Sequence, residues 1–149
     1  MSTQIRHNPV VLLVEDDPDD QQLARLANRR LKHPYQLVVV NDGVEALTYL
    51  DQVKQANGAG DYPWPSFLLV DLNMPRMDGL SLLKRVRADR ELAHLPVIVF
   101  TTSKAERDVA ESYSGGCSSY IVKPMTISEL VKVFETMANY WLDCVQLPS

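Results

Sequence analysis

Residues 10–20 read Val10-Val11-Leu12-Leu13-Val14-Glu15-Asp16-Asp17-Pro18-Asp19-Asp20, and this stretch decides the fold. A short unbroken apolar run has the pattern of a strand buried on both faces, not the alternation of a half-exposed one. The run stops at an acidic turn. Asp17-Pro18-Asp19-Asp20 then has the composition of a helix start: an oxygen-bearing cap, proline at the first helical position, and carboxylates near the positive end of the helix dipole. Leu23, Leu26, Ala27 and Leu31 continue at helical spacing. A strand and a helix are therefore written one after the other, with acids at the junction.

The same unit recurs along the chain. Leu37-Val38-Val39-Val40 reads as a second strand, followed by the turn Asn41-Asp42-Gly43 and the helical stripe Val44, Leu47, Leu50. Residues 55–66, rich in Gly, Pro and polar groups, read as a long surface loop. Phe67-Leu68-Leu69-Val70 ends in Asp71, and after a loop reaching Gly79 the residues Leu80, Leu83 and Val86 mark a third helix. Val97-Ile98-Val99-Phe100 ends in Thr101-Thr102. Residues 104–114 form a short polar helix with few apolar anchors, closed by Gly115-Gly116. Tyr120-Ile121-Val122 ends in Lys123-Pro124, and a last helix starts near Thr126 or Ser128. Parallel strands need long crossovers, and here each crossover is helical. The expected fold is α/β, a doubly wound five-stranded parallel sheet. Its strands would bring their carboxyl ends to one edge, where open α/β sheets bind ligands. Glu15, Asp16, Asp71, Thr101 and Lys123 all fall at that edge.

The remaining composition narrows the classes. With 149 residues the chain supports one domain with a substantial core. A net charge of −4 and the lack of any Lys/Arg cluster argue against nucleic acid or an anionic membrane as partner. The first apolar run is too short for a signal peptide or a membrane span. Cys117 and Cys144 fit no metal or redox spacing, which leaves two free packing thiols in a reducing cytoplasm. His7, His33 and His94 lie outside every motif and read as surface residues.

Carboxylates as close as Glu15, Asp16 and Asp71 repel one another unless a cation sits among them. Hard oxygen ligands with few protein contacts suit Mg²⁺, which keeps several of its waters. Lys123 adds a positive charge and Thr101 a hydroxyl donor, so the group suits a phosphoryl transfer, whose charge is spread over three oxygens. Asp71 would be the nucleophile, since carboxylates form aspartyl phosphates. Asp17, Asp19 and Asp20 are assigned to the helix start.

Taken in order, the strings VLLVEDD, LLVDLNMPRMDGL, LPVIVFTTS and YIVKP resemble the receiver domain of two-component response regulators over residues 9–137. That resemblance implies a flavodoxin-like (βα)₅ fold with an extended C-terminal helix. Residues 1–8 would be an N-terminal tail and 138–149 an extension of the last helix. It implies Asp71 as phosphoacceptor, Asp16 as direct Mg²⁺ ligand and Glu15 as the acid holding metal-bound water, with the backbone carbonyl of Asn73 as a further ligand. Thr101 matches the switch hydroxyl, Lys123 the phosphate-binding lysine and Tyr120 the aromatic switch, although Tyr120 also reads as a packed strand aromatic. The Lys123–Pro124 peptide bond is expected to be cis. Thr102, larger than many family residues there, would line the rim and restrict attacking water or the phosphodonor. Such a domain is a phosphoacceptor for a sensor histidine kinase, with at most weak autodephosphorylation. It signals through the face made by the fourth helix, fifth strand and fifth helix.

The C-terminal segment carries a second feature. Ile127, Leu130, Val131, Phe134, Met137, Ala138, Trp141 and Val145 form one stripe, widened by Val133 and Tyr140. A helix to about residue 142 would overhang the domain and expose Tyr140-Trp141-Leu142, unless the tail folds back on its own domain. Val133, Met137, Tyr140, Trp141 and Leu142 are the candidate homodimer residues. The ending WLDCVQLP, the long loop before Phe67 and the string FTTS are similar to stand-alone response regulators paired with bacterial phytochrome histidine kinases. Too few residues follow the receiver motifs for a DNA-binding domain.

Two other readings compete. A haloacid-dehalogenase-like phosphohydrolase usually carries a second acid two residues after its nucleophile, and that position is Asn73. A phosphorylation-independent adaptor would not need the full set of acids, hydroxyl and lysine. A flavodoxin-like redox role lacks a phosphate loop after the first strand.

Overall fold

The computed structural model describes residues 9–144, with side chains through residue 141. The elements run β1 (Val10–Val14), α1 (Pro18–Arg29), β2 (Gln36–Val40), α2 (Gly43–Ala56), β3 (Phe67–Val70), α3 (Gly79–Ala88), β4 (Val97–Thr101), α4 (Glu106–Ser114), β5 (Ser119–Val122) and α5 (Ile127–Met137), then a π-helical stretch, Ala138–Cys144. All pairings are parallel, in the order β2-β1-β3-β4-β5. The expected doubly wound α/β sheet is therefore present.

Only the three central strands are buried at every position; β2 and β5, at the edges, are largely half-buried. Alternation along the strands sends side chains to two cores. Leu12, Val14, Leu68, Val70, Val97 and Val99 pack with Leu50 and Val53 of α2 and Leu82, Leu83 and Val86 of α3. Val11, Leu13, Phe67, Leu69, Ile98 and Phe100 pack with Ala24 and Ala27 of α1 and Leu130, Phe134 and Met137 of α5. Helix α4 buries only Ser112, in keeping with its polar sequence. Cys117 is a free, buried thiol of the first core, and His33 and His94 are exposed. Among the described residues no helix is long and apolar enough to cross a membrane.

Helix starts follow the chemistry of their caps. Asp17 accepts from the N–H groups of Asp19 and Asp20, Asp42 from Glu45, Asp78 from Ser81, and Thr126 from Glu129. Because Asp42 and Asp78 cap α2 and α3, the loops that precede these helices are fixed at the carboxyl edge.

The end of the chain departs from the expectation of a regular overhanging helix. The winding changes from α to π after Met137. The Trp141 ring lies 6.4 Å from that of Phe67 and packs on the α1/α5 core. Met137 is buried at 3% exposure, and Val133 is half-buried against the same core. Met137 and Trp141 thus pack on their own domain, Met137 with almost no surface left for a partner and Trp141 half-buried. Burying an aromatic ring beside Phe67 stabilises the chain more than leaving it in water. Tyr140 is 53% exposed, and the Leu142, Cys144 and Val145 side chains lie outside those described.

Gly79 ties this fold to the site. A Cβ at Gly79 would stand 2.2 Å from the backbone oxygen of Asp71 and 2.9 Å from the Cα of Leu72. Neither is a flexible side chain that could move aside. Gly79→Ala is expected to destabilise the protein by about 2–3 kcal/mol, seen as a lower urea midpoint at unchanged slope. A wild-type midpoint would show that the loop yields freely.

Candidate functional site

Register brings the site together. Val14 pairs with Val70, and the Asp71 N–H donates to the Val14 carbonyl at 3.1 Å, so the residues after β1 and after β3 are neighbours. Thr101 pairs with Val122, and the Lys123 N–H donates to the Thr101 carbonyl at 2.8 Å, which sets Lys123 beside the end of β4. Between β1 and β3 the strand order reverses, and this is where doubly wound sheets open a crevice.

At its centre the Lys123 ammonium donates to Glu15 Oε1, to Asp20 Oδ2 at 2.9 Å and to Asp71 Oδ2 at 3.1 Å. Glu15 is 2% exposed and also accepts the Asp17 N–H through Oε2 at 3.1 Å. Asp71 is buried at 9% exposure, and among the described residues its Oδ1 has only a long 3.4 Å contact from the Asn73 N–H. Oxygens of Glu15, Asp16 and Asp71 lie within 4.8 Å of one another. These acids with Asp20 outnumber the single ammonium, and all are hard donors. That fits a divalent cation such as Mg²⁺.

The switch candidates sit on the next strands. Thr101 is fully buried, and its Oγ1 accepts the Ser103 N–H at 3.5 Å, the limit of a hydrogen bond. Tyr120 is half-buried on β5. Its hydroxyl donates to the Ser103 carbonyl at 2.9 Å, and its N–H donates to the Tyr113 hydroxyl of α4 at 3.2 Å. The Ser103 hydroxyl donates to Asp108 at 2.5 Å. Thr102 lines a groove between α1 and α5 with Leu23, Phe100, Lys123 and Pro124, a rim position as expected.

Two readings change. The Lys123–Pro124 bond is trans, not cis, for the described residues contain no cis peptide; trans is the favoured isomer before proline. Asp20, read as a helix-start acid alone, faces inward to Lys123 while Asp17 does the capping. Its place in the first turn, three residues past the cap, is the only signal of this, and first-turn acids are common for dipole reasons alone.

Burial raises the Glu15 carboxyl from its ordinary 4.5 to about 7, against the opposing pull of Lys123 and the Asp17 N–H. Burial also works against the Lys123 charge, but hydrogen bonds to Glu15 and Asp20 and the charge of Asp71 outweigh it and raise the ammonium above its usual range.

A carboxyl raised on folding holds a proton that the unfolded chain has released. Its contribution to stability is full below about pH 4.5 and gone above about pH 7. Without divalent metal, stability is expected to fall by about 3 kcal/mol between those limits. Glu15→Gln should flatten the slope in chelator-treated urea titrations. An equal slope in the variant would assign it to other groups. Asp42 and Asp89, whose carboxyls are lowered from 3.8, act at more acid pH.

Comparison with known proteins agrees with this geometry. The family model described as response regulator receiver domain matches residues 11–135. Response regulator Rcp1 of Synechocystis sp. (strain ATCC 27184 / PCC 6803 / Kazusa) is 32% identical over 149 residues, covering 100% of this chain and 99% of Rcp1. The crystal structure of the phosphorylated cyanobacterial phytochrome response regulator RcpA is 33% identical with a TM-score of 0.82, covering 96% of this chain and 100% of that one. The Mn²⁺-bound form of Rcp1 is 31% identical with a TM-score of 0.77, covering 95% and 99%. The chain therefore belongs to the response-regulator receiver family and is related to the phytochrome response regulators Rcp1 and RcpA.

Proposed function

We propose that the chain accepts a phosphoryl group on Asp71 from the phosphohistidine of a sensor kinase. The observation that carries this reading is one buried carboxylate, Asp71, lying against Lys123 and beside two further acids at the switch point of the sheet. Glu15, Asp16, Asp71 and the Asn73 carbonyl would hold Mg²⁺. Bound there, the ion neutralises the crowded carboxylates and the charge of an incoming phosphoryl group.

Asp71 Oδ1, held only by the long Asn73 contact, is the oxygen free to attack. It forms the new bond to phosphorus as the phosphorus–nitrogen bond of the donor breaks, and the electron pair stays on the departing imidazole. Lys123 pairs with phosphoryl oxygens as its contacts to the acids redistribute. The Thr101 hydroxyl, so weakly engaged by Ser103, turns to donate to another. Ser103 also holds Tyr120 and Asp108, so that turn reaches β5 and α4. Output through the α4–β5–α5 face follows, by protein contact.

The relation to Rcp1 and RcpA supports a phytochrome-type kinase as donor and a cytoplasmic place of action. A homodimer is part of the same reading. Of the candidate dimer residues whose side chains are described, Tyr140 is the one left exposed to serve it.

Incubation with labelled acetyl phosphate and Mg²⁺ is expected to label the wild type stoichiometrically and Asp71→Asn not at all, with labelling lost on chelation. Equal labelling of both proteins would remove Asp71 as acceptor. Sustained turnover of small phosphomonoesters would favour a phosphohydrolase instead.

The dimer is tested by sedimentation with and without beryllofluoride. A dimer in at least one state, weakened by Tyr140→Ala, is expected. A monomer in both states removes the dimer.

A further inference from the structure

The loop between Asp71 and Gly79 is not held by Lys123 alone. Arg76, in the middle of it, has a left-handed backbone at φ 63. A non-glycine residue keeps that conformation only where its surroundings fix it. Its Nε donates to Asp42 Oδ2 at 2.6 Å, and its guanidinium lies 3.6 Å from Glu45 Oε2. The Asp42 side chain is 4% exposed, and its other oxygen caps α2 by accepting the Glu45 N–H at 2.9 Å. The backbones meet at the same place, where the Gly43 N–H donates to the Met77 carbonyl at 3.1 Å.

From Glu45 the contacts continue to the other acidic loop. Glu45 Oε1 accepts the N–H and the side-chain amide of Asn41 at 2.9 and 3.0 Å. Gln21 Nε2 donates to Asn41 Oδ1 at 2.8 Å and to the Glu15 carbonyl at 2.6 Å. One polar chain, Arg76–Glu45–Asn41–Gln21, thus connects the loop carrying Asn73 to the backbone of Glu15, around the outside of the acidic cluster.

We propose that Arg76 is a positioning residue for the cation site: paired with Asp42 and Glu45, it braces the Asp71–Gly79 loop against the start of α2 and sets its spacing from the Glu15–Asp16 turn. The alternative is that Arg76 acts only through its charge. The two accounts differ in sign. A positive charge near an acidic cluster opposes cation binding, so its removal would tighten Mg²⁺ if charge were all. Removal of a brace loosens it.

The inference rests on the proposed Mg²⁺ reading, and the experiment separates the two. Magnesium binding is measured by titration calorimetry on wild type, Arg76→Gly, Arg76→Lys and the double variant Asp42→Asn/Arg76→Gly. Glycine tolerates the left-handed backbone and asparagine can still cap α2, so these variants are expected to fold. Arg76→Gly should weaken Mg²⁺ three- to tenfold, and Arg76→Lys should recover part of the loss. The double variant, with the wild-type net charge, should remain weak. In the metal-free protein the Gly43 amide should exchange hydrogen faster in Arg76→Gly than in wild type.

Unchanged or tighter Mg²⁺ binding in Arg76→Gly, or wild-type affinity in the double variant, overturns the brace. If the wild type binds no Mg²⁺, the cation reading fails. Gly43 exchange then decides the brace alone, with an unchanged rate rejecting it.

Discussion

The Lys123 ammonium held against Glu15, Asp20 and Asp71 is the interaction on which the carboxyl edge of this molecule depends. Three parallel strands end in acids or begin loops that carry them, and water reaches little of Glu15. Carboxylates in such a place need a partner, and a buried charge stripped of its partner costs on the order of 3–5 kcal/mol. One lysine from the fifth strand serves acids from the first strand, the first helix and the third strand. It therefore closes the sheet edge across its switch point, and it does so with a group that can be redistributed. The same property that satisfies the resting site makes it responsive to a new anion or cation.

The legible part of this arrangement is the part that the strand period dictates. Five apolar runs, each ending in a polar group, force a common edge once the strands are parallel, so Glu15, Asp71, Thr101 and Lys123 could be placed together from their positions alone. Helix surfaces are less constrained. Asp17 and Asp20 have the same side-chain chemistry and stand in the same turn, yet one caps α1 and the other meets Lys123. Composition cannot separate them, because the difference is a rotation about the helix axis. Arg76 was equally hidden: its role depends on a backbone angle and on Asp42, which reads locally as a turn residue. The tail shows a third kind of limit. A helical stripe marks which residues are apolar but not what covers them, and a change of winding after Met137 puts Trp141 on Phe67.

Around the clamp the molecule is unevenly stiff. On one side, capped helix starts, the Gly79–Asp71 contact and the polar chain from Gln21 to Arg76 leave the acid-bearing loops little freedom. On the other, α4 buries a single serine and has no side-chain cap at Ala105. Few buried contacts mean a low cost of local rearrangement. The contrast divides the molecule: the loops after β1 and β3 are tightly held, whereas α4 is weakly anchored.

Ser103 is the joint between those halves. Its N–H reaches Thr101, its carbonyl takes the Tyr120 hydroxyl, and its own hydroxyl holds Asp108 on α4. The weakest of these contacts, at 3.5 Å, is the one to Thr101, at the carboxyl end of β4. A hydroxyl held by a marginal hydrogen bond gains more from a charged acceptor than it loses on leaving. In the proposed mechanism, movement of Thr101 would therefore start at the least costly point of the joint and disturb the contacts behind it. The Tyr120 ring is tied to Ser103 through its hydroxyl, so it cannot turn without releasing that carbonyl, while its backbone N–H keeps β5 on Tyr113 of α4. On the proposed phosphoacceptor reading, an event at Asp71 would be converted in this way from a change of charge into a change in how α4 lies on the edge strand.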